Sequence, residues 1–175
     1  MAAALYHFSE DPNISAFSPH VAATSEKSEA LVWAVDHEHR SGYWFPRDCP
    51  RACCWAGEDP LTPAGAALLD PGGARRLHAI ESVWLDRMRA CRLYMYRFDP
   101  TPFALEIAEA GFWCARQTVT PLSVEPVGDL LARHVEAGIE LRIVPTLWPL
   151  IDAIVGSGLC FSITRQRNAQ PRQPR

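Results

Sequence analysis

The apolar residues of this 175-residue chain come in short runs separated by turn-forming residues, and that spacing restricts the fold more than any other feature. Leu5-Tyr6-His7-Phe8-Ser9-Glu10 runs into Asp11-Pro12-Asn13, a turn by its Pro and Asn chemistry. Residues 30–35 form a continuous apolar run between polar neighbours, the pattern of a buried strand. Residues 51–55, 77–81, 91–98, 103–107 and 111–119 read as further strands. Ile139, Leu141 and Ile143 alternate with Glu140 and Arg142, and Leu159, Phe161 and Ile163 share one side of a last strand.

Helical spacing occurs in three places. Ser82 is placed to cap a short helix reaching Ala90, with Trp84, Leu85 and Met88 inward. Val127, Leu130, Leu131 and Val135 make a stripe begun at Pro126 and stopped by Gly138. Leu147, Leu150, Ile151 and Ile154 make another behind Thr146. Strands outnumber helices without a strict βαβ alternation, which predicts the α+β class. The expected fold is a single domain over 1–165, of mixed, mostly antiparallel strands with a few short helices. Residues 21–29 read as an exposed loop and 57–76, rich in Pro, Gly and Ala, as a mobile or protruding segment. Residues 166–175 hold one alanine as their only apolar residue and are expected to be a disordered basic tail.

Hydrophobic residues at 48% and charged ones at 21% are ordinary for a globular chain of a size that buries a core unaided. A net charge of -3 argues against a dominant nucleic-acid face. Met1-Ala2-Ala3-Ala4 lacks the basic start of a signal peptide, and no apolar run reaches bilayer length. The expectation is a cytoplasmic protein without a membrane partner, its six cysteines reduced.

Several residues invite chemistry. His7 lies in an apolar strand, either as a satisfied core histidine or as a ligand contact. Tyr43, Trp44 and Phe45 precede Pro46-Arg47-Asp48-Cys49-Pro50, whose two prolines forbid a regular element and make a rigid aromatic loop. Arg47 and Asp48 there are either an ion pair pinning the loop or a fork for phosphate or carboxylate. His37 and His39 with Cys49, Cys53 and Cys54 lack the spacing of a zinc site, and Cys53 and Cys54 on a strand would face opposite ways, so no metal is expected. Arg165 and Asn168 close the ordered chain. If the last strand lay beside the first, they would reach a ligand near His7.

Leu5–Asp11, Leu31–His39 and Pro46–Arg51 read LYHFSED, LVWAVDHEH and PRDCPR. With Glu81–Leu85, Glu140–Arg142 and Ser162–Ala169, they resemble an uncharacterised bacterial domain family that brings no established activity. A fainter likeness is to the ADP-ribosyltransferase fold. It is carried by the opening Leu5-Tyr6-His7-Phe8-Ser9, by Val32-Trp33-Ala34, and by Gly111-Phe112-Trp113 followed by Val119-Thr120-Pro121-Leu122-Ser123-Val124-Glu125. This second likeness implies an ADP-ribosyltransferase-like fold and an NAD-like nucleotide site. Tyr6, His7 and Ser9 would line it, His7 fixing the ribose, with Trp33, Tyr43 or Trp44 stacking on nicotinamide. Cleaving the N-glycosidic bond passes through an oxocarbenium-like state that needs a carboxylate nearby. Glu125 and Glu81 are the candidates, and neither lies in a motif that settles the role. The expected function is thus nucleotide binding, with transferase or glycohydrolase chemistry. The alternative is a non-catalytic interaction domain using the aromatic loop 43–50.

Overall fold

The computed structural model describes residues 4–21, 29–69 and 73–173. The loop expected over 21–29 falls almost wholly outside them. In chain order the strands are β1 Leu5–Ser9, β2 Val32–Val35, β3 Arg51–Trp55, β4 Arg76–Glu81, β5 Tyr94–Phe98, β6 Ala104–Ile107, β7 Phe112–Ala115, β8 Ser123–Pro126, β9 Glu140–Val144 and β10 Cys160–Thr164. The α-helices are α1 Pro63–Leu69, α2 Leu85–Ala90, α3 Leu130–Glu136 and α4 Trp148–Val155. This is the mixed α+β class that the spacing of apolar runs predicts. No helix among the described residues is long and apolar enough to cross a membrane. The chain gathers into two compact units, Met1–Trp44 with Arg92–Val127, and Phe45–Cys91 with Gly128–Arg175.

The first unit is a six-stranded sheet in the order β6-β7-β2-β1-β5-β8, antiparallel at every pairing. Its core face carries Leu5, Val32, Ala34, Tyr96, Phe98 and Ala115, covered by Phe17, Phe103 and Val119. Phe17 and Val119 exchange both backbone hydrogen bonds, at 2.8 and 3.0 Å. That pairing sets the Phe17 ring edge-on to Tyr96 and Phe98, each 5.1 Å away. The Tyr96 hydroxyl donates to the Asp11 carbonyl and accepts from the Ile14 N–H, fastening the turn after β1.

The second unit is a four-stranded sheet, β10-β3-β4-β9, in which only β4 and β9 run parallel. Ala52, Cys54, Leu77 and Ala79 form one face and pack with Leu69 of α1, with Leu147, and with Ile151 and Ile154 of α4. Arg51, Cys53, Arg76, His78 and Ile80 alternate onto the other. The expectation of a protruding segment over 57–76 missed α1. Thr62 starts that helix, its side-chain oxygen accepting from the Gly65 N–H at 3.0 Å while its hydroxyl donates to the Ser157 carbonyl.

Several expectations need correction. Neither Ser82 nor Thr146 caps a helix, since α2 and α4 begin behind Trp84 and Leu147 without a side-chain cap. Pro126 ends β8 rather than starting a helix; Asp129 caps α3 by accepting from Leu131 and Ala132. Val135 is exposed, and His134 takes the inward place on α3. Residues 166–173 do not trail free. A 3-10 turn forms at Gln166–Asn168, and the Gln170 N–H reaches Glu81. Arg172 stacks on Trp148 and pairs with Asp152. Asn168, Gln170 and Arg172 order this stretch by reaching a carbonyl, a carboxylate, and a ring with a charge.

Candidate functional site

Strand alternation divides the expected ligand-contacting residues of the first unit between two faces. Tyr6 is paired with Val35 and Arg97, whereas His7 is paired with Tyr96. Trp33, two residues before Val35, therefore lies with Tyr6, and His7 and Ser9 lie on the core face. The His7 and Trp33 side chains do not meet on one face as a ribose contact and a nicotinamide stack. His7 Nδ1 instead reaches the Trp33 carbonyl at 2.9 Å, and the ring packs 4.9 Å from Phe17. The Ser9 hydroxyl oxygen accepts from the Asp11 N–H.

The opposite face is aromatic. Phe8 stacks with Tyr43 at 6.1 Å, Tyr43 meets Phe112 edge-on at 6.2 Å, and Phe112 meets Trp33 at 6.0 Å. Arg40 lies over the Tyr6 ring at 5.1 Å, and the Tyr6 hydroxyl is 3.5 Å from His37 Nδ1. Arg97, cross-strand from Tyr6, is exposed. Glu125 is paired with Met95, itself paired with Phe8, so its carboxylate projects from the same face, about 10 Å from Phe8 by two strand spacings. Trp44 is buried and its N–H closes the 3-10 turn Arg40–Tyr43 on the Ser41 carbonyl.

Beside these rings Asp36 and His39 form a fixed pair. One carboxylate oxygen accepts from both the His39 N–H and its Nδ1, each at 2.9 Å. Gly111 makes the pair possible. Its φ is +62°, and a side chain there would run into the His39 ring and the Asp36 carboxylate.

In the second unit the other expected residues do come together. Arg165 Nε donates to the Arg47 carbonyl at 3.1 Å, and Asn168 Nδ2 to the Asp48 carbonyl at 2.7 Å, across 118 and 120 residues of chain. The Arg165 guanidinium is 4.0 Å from the Asp48 carboxylate. The sequence argument would set Arg165 and Asn168 beside the first strand; the register places β10 against β3 instead. Glu81 is fully buried, one oxygen accepting from the Leu147 N–H at 3.1 Å and the other from Gln170 at 2.9 Å. Both of its oxygens serve the backbone at α4 and the C-terminal segment.

Two further buried groups lie in this unit. His134 Nδ1 donates to the Leu130 carbonyl at 2.7 Å, so its Nε2 must accept from His78 Nδ1 at 3.0 Å. His78 Nε2 is then a buried lone pair without a hydrogen-bond partner among the described residues. Burial, then the neighbouring His134 and the Arg76 and Arg51 charges, hold the His78 pKa well below the usual imidazole range. Burial pushes Cys49 and Cys53 up to about 12 and Cys54 up to about 11, against the pull of nearby arginines, so these thiols stay protonated. Among the described residues no three His, Cys, Asp or Glu side chains gather as a metal-ligand set.

The same segments that carry these contacts carry the family pattern. Residues 6–169 match the family described as a family of unknown function, DUF6886. The chain belongs to that family. No curated protein and no solved structure matches it, so the fainter likeness to the ADP-ribosyltransferase fold gains no support from them. Within the DUF6886 chain, PRDCPR and the segment Ser162–Ala169 are the two sides of the Arg47–Asp48 clasp, and Asp36 and His39 are the acid and base of LVWAVDHEH. Sequence reasoning passed over Phe8, Phe112, Arg40 and the Asp36–His39 pair. The alternation of Tyr6 and Phe8 against His7 was the available signal for the first, and the i, i+3 spacing of Asp36 and His39 for the last.

Proposed function

We propose that this protein binds a nucleotide of the NAD kind on the aromatic face of its six-stranded sheet. The observation that carries the reading is the part-exposed Trp33, Tyr43 and Phe112 on one face, backed by buried Tyr6 and Phe8, with Arg40 stacked on Tyr6. Bases and nicotinamide rings stack on such rings, and a guanidinium beside them suits a phosphate. The interaction-domain alternative is weaker, because Trp44, Phe45 and Pro46 of the loop are buried and offer a partner little aromatic surface.

One observation favours added chemistry at the N-glycosidic bond, as a transferase or glycohydrolase: Glu125 projects from the same face as the rings, whereas Glu81 is committed to the backbone. Titration calorimetry with NAD tests the binding, with Tyr43→Ala and Arg40→Ala each weakening it roughly tenfold, the scale of one lost stacking or charge-assisted contact. No heat from NAD at millimolar concentration overturns the reading. Nicotinamide release by the native chain, abolished in Glu125→Gln, supports the chemistry; binding without release leaves a binding protein.

A further inference from the structure

Two stretches far apart in the chain bring four arginines to one end of the four-stranded sheet. Arg47 comes from the proline-braced loop, Arg51 from the start of β3, and Arg165 and Arg167 from the turn just past β10. They are held there. Arg165 spends its Nε on the Arg47 carbonyl, Arg51 Nη1 donates to the Cys49 carbonyl at 3.1 Å, and the Arg51 guanidinium lies 5.3 Å from the Phe45 ring centre. Asp48 is the carboxylate of this group, 4.0 Å from Arg165 and two-thirds exposed. The Glu81 side chain leaves from the other face of the sheet, since Glu81 follows Ile80, the cross-strand partner of Arg51.

Arg47, Arg51 and Arg167 bring like charge to Arg165, and Asp48 brings the opposite charge at 4.0 Å. Burial lowers the Arg165 pKa, Asp48 pulls it back up, and Arg47, Arg51 and Arg167 press it down again. A second observation is independent of charge. Thr164, the cross-strand partner of Arg51, carries a buried hydroxyl with no hydrogen-bond partner among the described residues. Arg165 is also the one non-glycine residue described with a positive φ, +58°, a strain that persists only where the surroundings fix it.

We infer that this arginine cluster is a binding site for a phosphomonoester dianion carried by a small molecule. The terminal nitrogens of Arg165 and the whole exposed guanidinium of Arg167 have no partner among the described residues. Forks approaching from separate positions match a tetrahedral dianion better than a planar carboxylate, which one fork satisfies. The site lies wholly in the second unit and stands apart from the nucleotide reading of the aromatic face.

Calorimetric titration of the full chain at low ionic strength with inorganic phosphate, ribose 5-phosphate and acetate tests it. Phosphate is expected to bind at least about tenfold tighter than acetate, and ribose 5-phosphate as tightly as phosphate or better. Arg167→Gln, whose side chain holds nothing in the fold, should weaken both phosphates roughly fivefold or more, and Arg165→Gln further. Arg89→Gln, on the exposed face of α2, should leave phosphate binding unchanged. Phosphate no tighter than acetate, or indifferent to Arg167→Gln, overturns the site. Exclusion of ribose 5-phosphate while inorganic phosphate binds overturns the ester. Should Arg165→Gln fail to fold, Arg167→Gln decides alone.

Discussion

At the scale of single residues, His7 and Gly111 show how far side-chain chemistry depends on which face a strand turns outward. His7 reads from its neighbours as a ligand contact, yet its ring packs on Phe17 and its Nδ1 holds the Trp33 carbonyl where β1 and β2 share a single register pair. His7→Ala is expected to cost about 1–3 kcal/mol of unfolding free energy, the range for removing a partly buried hydrogen bond and its packing. NAD affinity should hold in the folded variant; lost affinity with unchanged stability would return His7 to the binding site. Gly111 has a natural comparison. Gly138 also has a positive φ, +64°, but nothing within 4 Å of an added side chain. Gly138→Ala therefore measures the left-handed backbone alone, about 1–2 kcal/mol. Gly111→Ala should cost clearly more in a denaturant titration, because it also drives the Asp36–His39 pair apart. Equal costs would mean the pair yields freely.

At the scale of elements, β3 is buried along its whole length and carries Cys53 and Cys54 on opposite faces. With those thiols and Cys49 held far above neutrality by burial, native protein at pH 8 should release one fast-reacting thiol to an aromatic disulfide reagent, that of exposed Cys160. The other five should appear only on unfolding. Fast reaction of more than one would contradict the burial of the other five. Strands such as β1, β3 and β5 were legible because a short apolar run between turn residues is a local signal. α1 was not, because Ala64, Gly65 and Ala66 give no apolar stripe and its start depends on Thr62 bonding to distant Ser157. On α3 hydrophobicity pointed to Val135, but His134 is the inward residue since a carbonyl and a second imidazole satisfy it there. The residues of the Arg47–Asp48 clasp were named in sequence, but not their pairing. The β10–β3 register joins segments more than a hundred residues apart, and no local pattern encodes it.

At the scale of the whole molecule, the buried imidazoles tie stability to pH. In the folded chain His78 and His134 are both held below the ordinary value of 6.5, chiefly by burial, while in the unfolded chain they titrate near it. Above pH 6.5 both states are neutral at these sites and the linkage contributes nothing. As pH falls below 6.5 the unfolded chain takes up protons that the folded chain refuses, so stability drops. Between pH 7 and pH 5 the loss should reach about 2 kcal/mol for each imidazole that stays neutral. Most carboxylates titrate below that window, so thermal unfolding across it isolates the histidines. Replacing both, His78→Leu with His134→Leu, removes donor and acceptor together and should flatten the dependence at modest cost at pH 7.5. His134→Leu alone leaves the His78 N–H buried without its acceptor, and should be less stable at pH 7.5 than the double variant. A double variant that still loses stability as steeply as the native chain between pH 7 and 5 would place the acid sensitivity elsewhere.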